Sequence, residues 1–145
     1  MEGLWSENAL VRMRAADAAE KVTRKNRELL RPFKRELLGL MGEAAQQEVR
    51  WHLAAMVPRL TLNGRERELA ISLLNRYLDD RSSIVRTVAL QGMADLAEGE
   101  PSIRPSVIEI LREATRTGTA AMKARSRKLL MRLEKSNTKA DHIGH

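Results

Sequence analysis

Few side chains in this chain could do covalent or acid–base chemistry, and their spacing suits it poorly. Its 145 residues include no cysteine, which removes disulfides and thiolate nucleophiles, and its only histidines are His52, His142 and His145. No glycine-rich phosphate loop, nucleophile elbow or paired-histidine metal motif is present. Asp141, His142 and His145 together offer one carboxylate and two imidazoles, a loose metal set at best, on a terminal stretch whose composition predicts disorder. His52, flanked by Trp51 and Leu53, reads as a groove or core-edge residue rather than a general base. The expectation is a protein with no enzymatic activity, no cofactor and no metal.

Basic side chains are the stronger chemical signal, because they are unevenly spread within a formal net charge of +7. Residues 12–35 hold nine Lys or Arg against three acids, and residues 123–135 hold six against Glu134 alone. Between them, residues 43–100 hold seven basic against nine acidic residues, so two positive ends flank a slightly acidic middle. Three readings fit this pattern. Charges can simply solvate outward helix faces, as Glu109 and Glu113 near Arg112 and Arg116 would. They can also meet an acidic protein segment, or a phosphate backbone whose counterions they release. Aromatic rings for stacking on single strands are few: Trp5, Phe33, Trp51 and Tyr77. Trp51 reads as a core-edge residue or as a partly exposed anchor.

The elements that position these residues are announced by a repeat. Val11-Arg12, Val49-Arg50, Val85-Arg86 and the looser Met122-Lys123 recur at separations of 38, 36 and 37 residues. Each opens an amphipathic stretch that closes on Val22, Leu60, Leu96 or Leu133. Aligned, the stretches give apolar columns at i, i+7, i+8 and i+11, such as Val11, Ala18, Ala19 and Val22, which form one helical stripe. A second set aligns between them on Arg31-Pro32, Arg67-Glu68 and Arg104-Pro105. Periods of this length mark stacked two-helix units that cannot bury their apolar faces alone. Inner helices are predicted at about 8–22, 46–60, 83–97 and 120–134, and outer helices at about 27–41, 64–79 and 103–116. Asn26, Asn63 and Ser102 are the candidate N-caps. Pro32 should kink its helix or delay its start, and Pro58 should bend the end of the second inner helix. The fold class is therefore all-α, with about seven helices in three and a half repeats over residues 1–135, followed by a disordered tail at 136–145.

Two-helix repeats of this length, with Val-Arg opening the second helix, resemble the HEAT and armadillo group of α-solenoids, an α-α superhelix. The best match is Asp79-Asp80-Arg81-Ser82-Ser83-Ile84-Val85-Arg86, followed by Ala89 and Leu96. In that group an Asp in the turn and an Arg six residues on tie neighbouring repeats, and Asp80 and Arg86 stand at that spacing. Ser6 and Ala44 replace the Asp elsewhere, and Lys123 replaces the Arg. The resemblance gives Arg12, Arg50, Asp80 and Arg86 an inter-repeat structural role. It also implies that the inner helices line a concave face, which would carry the columns Arg14, His52, Val88, Arg125; Asp17, Ala55, Gln91, Lys128; and Lys21, Arg59, Asp95, Arg132. Six of these twelve positions are Lys or Arg.

On this basis Arg14, Lys21, Trp51, His52, Arg59, Arg125, Lys128 and Arg132 are the expected partner-binding residues. A cytoplasmic scaffold for a protein with an acidic segment is the leading expectation. Its alternative is a nucleic-acid binder related in fold to the HEAT-like DNA glycosylases of alkylation repair, although Asp17 and Asp95 lack the aromatic walls those enzymes use. No apolar run approaches the roughly 18 residues of a membrane span, and Met1–Trp5 lacks the pattern of a signal peptide. A homodimer, or a longer solenoid joined through an uncapped end, also fits the open ends of the array.

Overall fold

A computed structural model describes the backbone of residues 1–143 and the side chains of residues 1–137. The described residues form seven α-helices and no strand: α1 (Ala9–Thr23), α2 (Lys34–Glu43), α3 (Gln47–Met56), α4 (Gly64–Tyr77), α5 (Ser83–Glu98), α6 (Arg104–Thr117) and α7 (Ala120–Ile143). Short 3-10 turns lie at Glu2–Trp5, Arg27–Phe33 and Val57–Arg59. None of these helices is long and apolar enough to cross a membrane.

Local chemistry explains the boundaries. Asn8 caps α1 by accepting from the amides of Leu10 and Val11, and Ser82 caps α5 by accepting from Val85. Asn63 and Glu66 form a reciprocal capping box at α4, each side chain accepting the other's amide at 2.8 and 2.9 Å. That amide bond, with Lys34 3.0 Å away, holds the Glu66 carboxyl below its ordinary value. Asn26 and Ser102 do not cap. The Asn26 amide instead donates to Val22 O at the end of α1, and Ser102 donates to Glu100. Pro32 explains the first of these differences: residues 27–33 stay in a 3-10 turn and α2 begins only at Lys34. Pro58 likewise turns the end of α3 into a 3-10 turn.

Helix α7 continues through residues 136–143 of the stretch expected to be a disordered tail. No Gly or Pro interrupts residues 120–143, and Asn137 accepts from Arg104 Nη1 at 3.0 Å. His145 and Gly144 lie outside the described residues, as do the side chains of Asp141 and His142, so the loose metal set falls there too.

Packing follows chain order. α1 lies on α3, α3 on α5 and α5 on α7, while α2 packs against α3, α4 against α5 and α6 against α7. The core runs through these junctions, with Leu37, Leu53, Met56, Leu74, Leu90, Met93, Leu111 and Leu133 fully buried. Gly92 lets α3 and α5 approach closely, because a Cβ there would stand 3.0 Å from Ala54 O and 3.2 Å from Leu74 Cδ1. Tyr77 crosses from α4 to donate to Met41 O at 2.7 Å, and burial pushes its phenol well above the ordinary value, keeping it a neutral donor.

The apolar columns are buried as expected from α3 onward: Val49, Val85 and Met122 at one end, Leu96 of α5, Leu133 of α7 and Leu60, just past the 3-10 turn that follows α3, at the other. In α1 they are not, since Val11 is 43% and Val22 52% exposed. The reason is what covers them. Each later odd-numbered helix lies against an earlier one and a companion helix, whereas α1, besides α3, meets chiefly the short turns Glu2–Trp5 and Arg27–Phe33, the first of which sets Gly3 against Ala15 and Val11.

Candidate partner-binding groove

An open cleft of about 570 Å³ crosses the face formed by α3 and α5. Its floor is made of small or compact apolar groups: Ala54, Ala55, Pro58, Val88 and Gly92. Arg24, Arg27 and Arg59 stand at one lip and Arg125 of α7 at the other, with Gln91, Asp95 and Glu98 of α5 between them. Six of the twelve positions assigned to the concave columns line it: Ala55, Arg59, Val88, Gln91, Asp95 and Arg125. Helix α5 presents Val88, Gln91 and Asp95 at i, i+3 and i+7, which is one face of a helix.

The eight expected contact residues divide by what already binds them. Arg59 is held internally: it donates to Glu20 O at 2.7 Å and Thr23 Oγ1 at 2.9 Å, and its Nη2 is 3.0 Å from Glu20 Oε2. Glu20 is only 3% exposed and also takes Arg24 in a two-pronged pair. His52, 4% exposed, is buried rather than displayed. Its Nδ1 donates to Glu48 O and its Nε2 lies 3.4 Å from Asp17 Oδ1, a link between α3 and α1. Trp51 stacks on His52 and packs against the core, which makes it a core-edge residue. As a displayed contact residue His52 is therefore corrected, because its ring turns inward to α1, while Arg59 lines the cleft with its guanidinium committed to Glu20 and Trp51 stays half-buried at the core edge.

Lys21 is exposed but paired with Asp17 at 3.0 Å, and this bond, with a smaller share from His52, holds the Asp17 carboxyl below its ordinary value. Arg132 is 2.8 Å from Asp95 and 3.5 Å from Glu98. Arg125 donates to Gln91, which in turn donates to Asp95, so one polar network joins α5 to α7 along the groove. Arg14 and Lys128 are exposed, with no hydrogen bond or ion pair among the described residues.

Of the four residues expected to tie repeats together, Arg12, Arg50 and Asp80 make links between segments, and the expected Asp80–Arg86 pair is absent among the described residues. Arg12 donates to Gln46 at 2.6 Å and to Ser6 O at 2.7 Å. Arg50 donates to Ala44 O and Ala45 O, and its Nε lies 2.6 Å from Asp80 Oδ2 as an ion pair. Asp80 therefore meets the arginine of the preceding repeat, not Arg86, whose Nε is buried without a hydrogen-bond partner. Where Ser6 and Ala44 replace the turn aspartate, the arginine six residues on uses the backbone carbonyl at the same place.

Arg24 and Arg27 at the groove lip were missed by the column reading, because they lie in the connection after α1 rather than on an odd-numbered helix. Glu20 was missed too. The signal for it was a lone charged residue in the column Glu20, Pro58, Ala94, Met131. Arg67 and Arg104 share an aligned position on successive even-numbered helices, and both donate to the last carbonyls of α5: Arg67 to Leu96 O, Arg104 to Ala97 O and Glu98 O. Among the described residues no group of three or more His, Asp or Glu is placed to hold a metal ion. Comparison with known protein families, curated proteins and solved structures finds no match. The class defined by fold and groove is thus an all-α protein with an open, arginine-flanked cleft.

Proposed function

We propose that the chain is a HEAT-like α-solenoid that binds an extended acidic polypeptide segment in the cleft over α3 and α5, without catalysing a reaction. The observation carrying this reading is the cleft's composition, a floor of small apolar residues between arginines at both lips. A segment laid across it would bury apolar side chains on Ala55 and Val88 while its carboxylates meet Arg27 on one side and Arg125 and Lys128 on the other. The sequential packing of odd-numbered helices, each later one with a companion, supports the solenoid part of the proposal. Protein is favoured over nucleic acid by a cleft lining that offers no aromatic ring for stacking on bases, with Trp51 committed to the core.

Fluorescence anisotropy tests this with a labelled peptide alternating Asp or Glu with Leu or Val, beside labelled single- and double-stranded DNA and RNA, at about 50 and 200 mM salt. The acidic peptide should bind in the micromolar range and more weakly at the higher salt. Nucleic acid binding more tightly than the peptide at both salts would overturn the reading.

A further inference from the structure

We infer that the open face of α1 is a homodimer interface, in which two copies pair α1 against α1 in antiparallel orientation about a two-fold axis. The first support is the internal repeat, which shows what this face does elsewhere. The column of Val11 is Val49, Val85 and Met122, and the column of Val22 is Leu60, Leu96 and Leu133. All six of these equivalents are at most 8% exposed, while Val11 and Val22 are 43% and 52% exposed. Ala18, between them on the same stripe, is exposed as well, where Met56, Gly92 and Leu129 are buried. The stripe is thus a packing surface by sequence that the turn Glu2–Trp5, with Gly3 against Ala15 and Val11, covers only in part, leaving Val11, Ala18 and Val22 exposed.

The opposite end of the stack is built differently, and this selects the occupant. Arg127 of α7 stands in the column of Ala16, Ala54 and Leu90, all fully buried, and is itself exposed. A charged residue there suits a polar terminal cap and opposes docking of an apolar stripe, so head-to-tail stacking of copies is disfavoured. Pairing of the apolar stripe with itself is isologous and closed.

Charge fixes the direction. Glu7 precedes α1 and Lys25 follows it; both are exposed, and neither has a partner among the described residues. A two-fold axis midway between Val11 and Val22 sets Val11 against Val22 of the second copy. The same operation sets Glu7 opposite residue 26, next to the second copy's Lys25. Parallel pairing would instead oppose like charges at both ends.

Sedimentation equilibrium from about 5 to 500 µM tests the proposal. The mass should rise from 16.4 kDa towards twice that value. V22E should remain monomeric throughout, with unchanged circular dichroism because the side chain is exposed. E7K and K25E should each weaken association about tenfold, and the double variant should recover it to within about twofold. A wild-type protein that stays monomeric at 500 µM, or a dimer indifferent to V22E, would overturn the interface. A dimer lost in V22E but not recovered in the charge-swapped double variant would overturn the antiparallel two-fold arrangement.

Discussion

Replacing Arg59 with Met is expected to destabilise the protein by about 3 kcal/mol, far more than a residue on the lip of a surface cleft would suggest. The Glu20 carboxylate is almost completely buried, and Arg59 reaches it from the end of α3, 39 positions along the chain. Without the guanidinium, the carboxylate keeps only Arg24, whose side chain is 59% exposed, and both Glu20 O and Thr23 Oγ1 lose a donor. The control is Arg125→Met, which removes only an exposed bond to Gln91 and should cost less than about 0.5 kcal/mol.

The penalty should also depend on pH. The Arg24 hydrogen bonds chiefly, and those of Arg59 next, hold the Glu20 carboxyl below its ordinary 4.5 against the opposing effect of burial. A carboxyl depressed in the folded state contributes its full stability above the unfolded value and loses it as pH falls through the folded one. The difference between wild type and Arg59→Met should therefore be complete at neutral pH and narrow below pH 4.5. Urea unfolding of both proteins across that range measures it, and a loss under about 1 kcal/mol at pH 7 would contradict the role given to Arg59.

The second large effect concerns binding. Reversing Arg27, Arg125 and Lys128 together to Glu should weaken an acidic peptide about thirtyfold at low salt, at roughly 0.7 kcal/mol for each exposed charge. None of the three is needed by the fold: Arg27 and Lys128 have no partner among the described residues, and Arg125 holds only Gln91. The triple variant should therefore melt like the wild type while its anisotropy titration shifts. The gap between the two proteins should close as salt rises. An unchanged affinity would remove the two lips from the binding account. Trp51→Ala, in contrast, should act on stability, because the ring packs against the core and stacks on His52.

Element boundaries were legible wherever local chemistry decides them. The Val-Arg register, Pro58 and the N-cap candidate Asn63 place most helix ends within a few residues of those observed, because caps and prolines act on the backbone beside them, whereas α2 begins seven residues after the expected start at 27 and α7 runs nine residues past the expected end at 134. Burial was legible in α3, α5 and α7, where a column has a helix to pack against. It was misjudged for Val11 and Val22, since the pattern of a stripe does not say whether its cover is present. The cleft was half legible. Columns tell which side of a helix a residue leaves from, and so they find Ala55, Val88, Gln91 and Asp95. They do not tell where an arginine ends. Arg59 turns towards Glu20 of α1, Arg50 towards Asp80 in the connection between α4 and α5, and Arg132 towards Asp95 and Glu98 of α5. Much of the expected basic face is thus spent holding the helices together, and the cations left for a partner sit at its edges.

That division makes location the decisive question, and nitrogen–proton correlation spectra recorded while unlabelled acidic peptide is added to labelled protein answer it directly. The account predicts saturable shifts at the amides of Ala54, Ala55, Val88, Gln91, Gly92 and Arg125, with α2, α4 and α6 left quiet. Shifts centred on those even-numbered helices, or on Val11 and Val22, would contradict the cleft as the binding site.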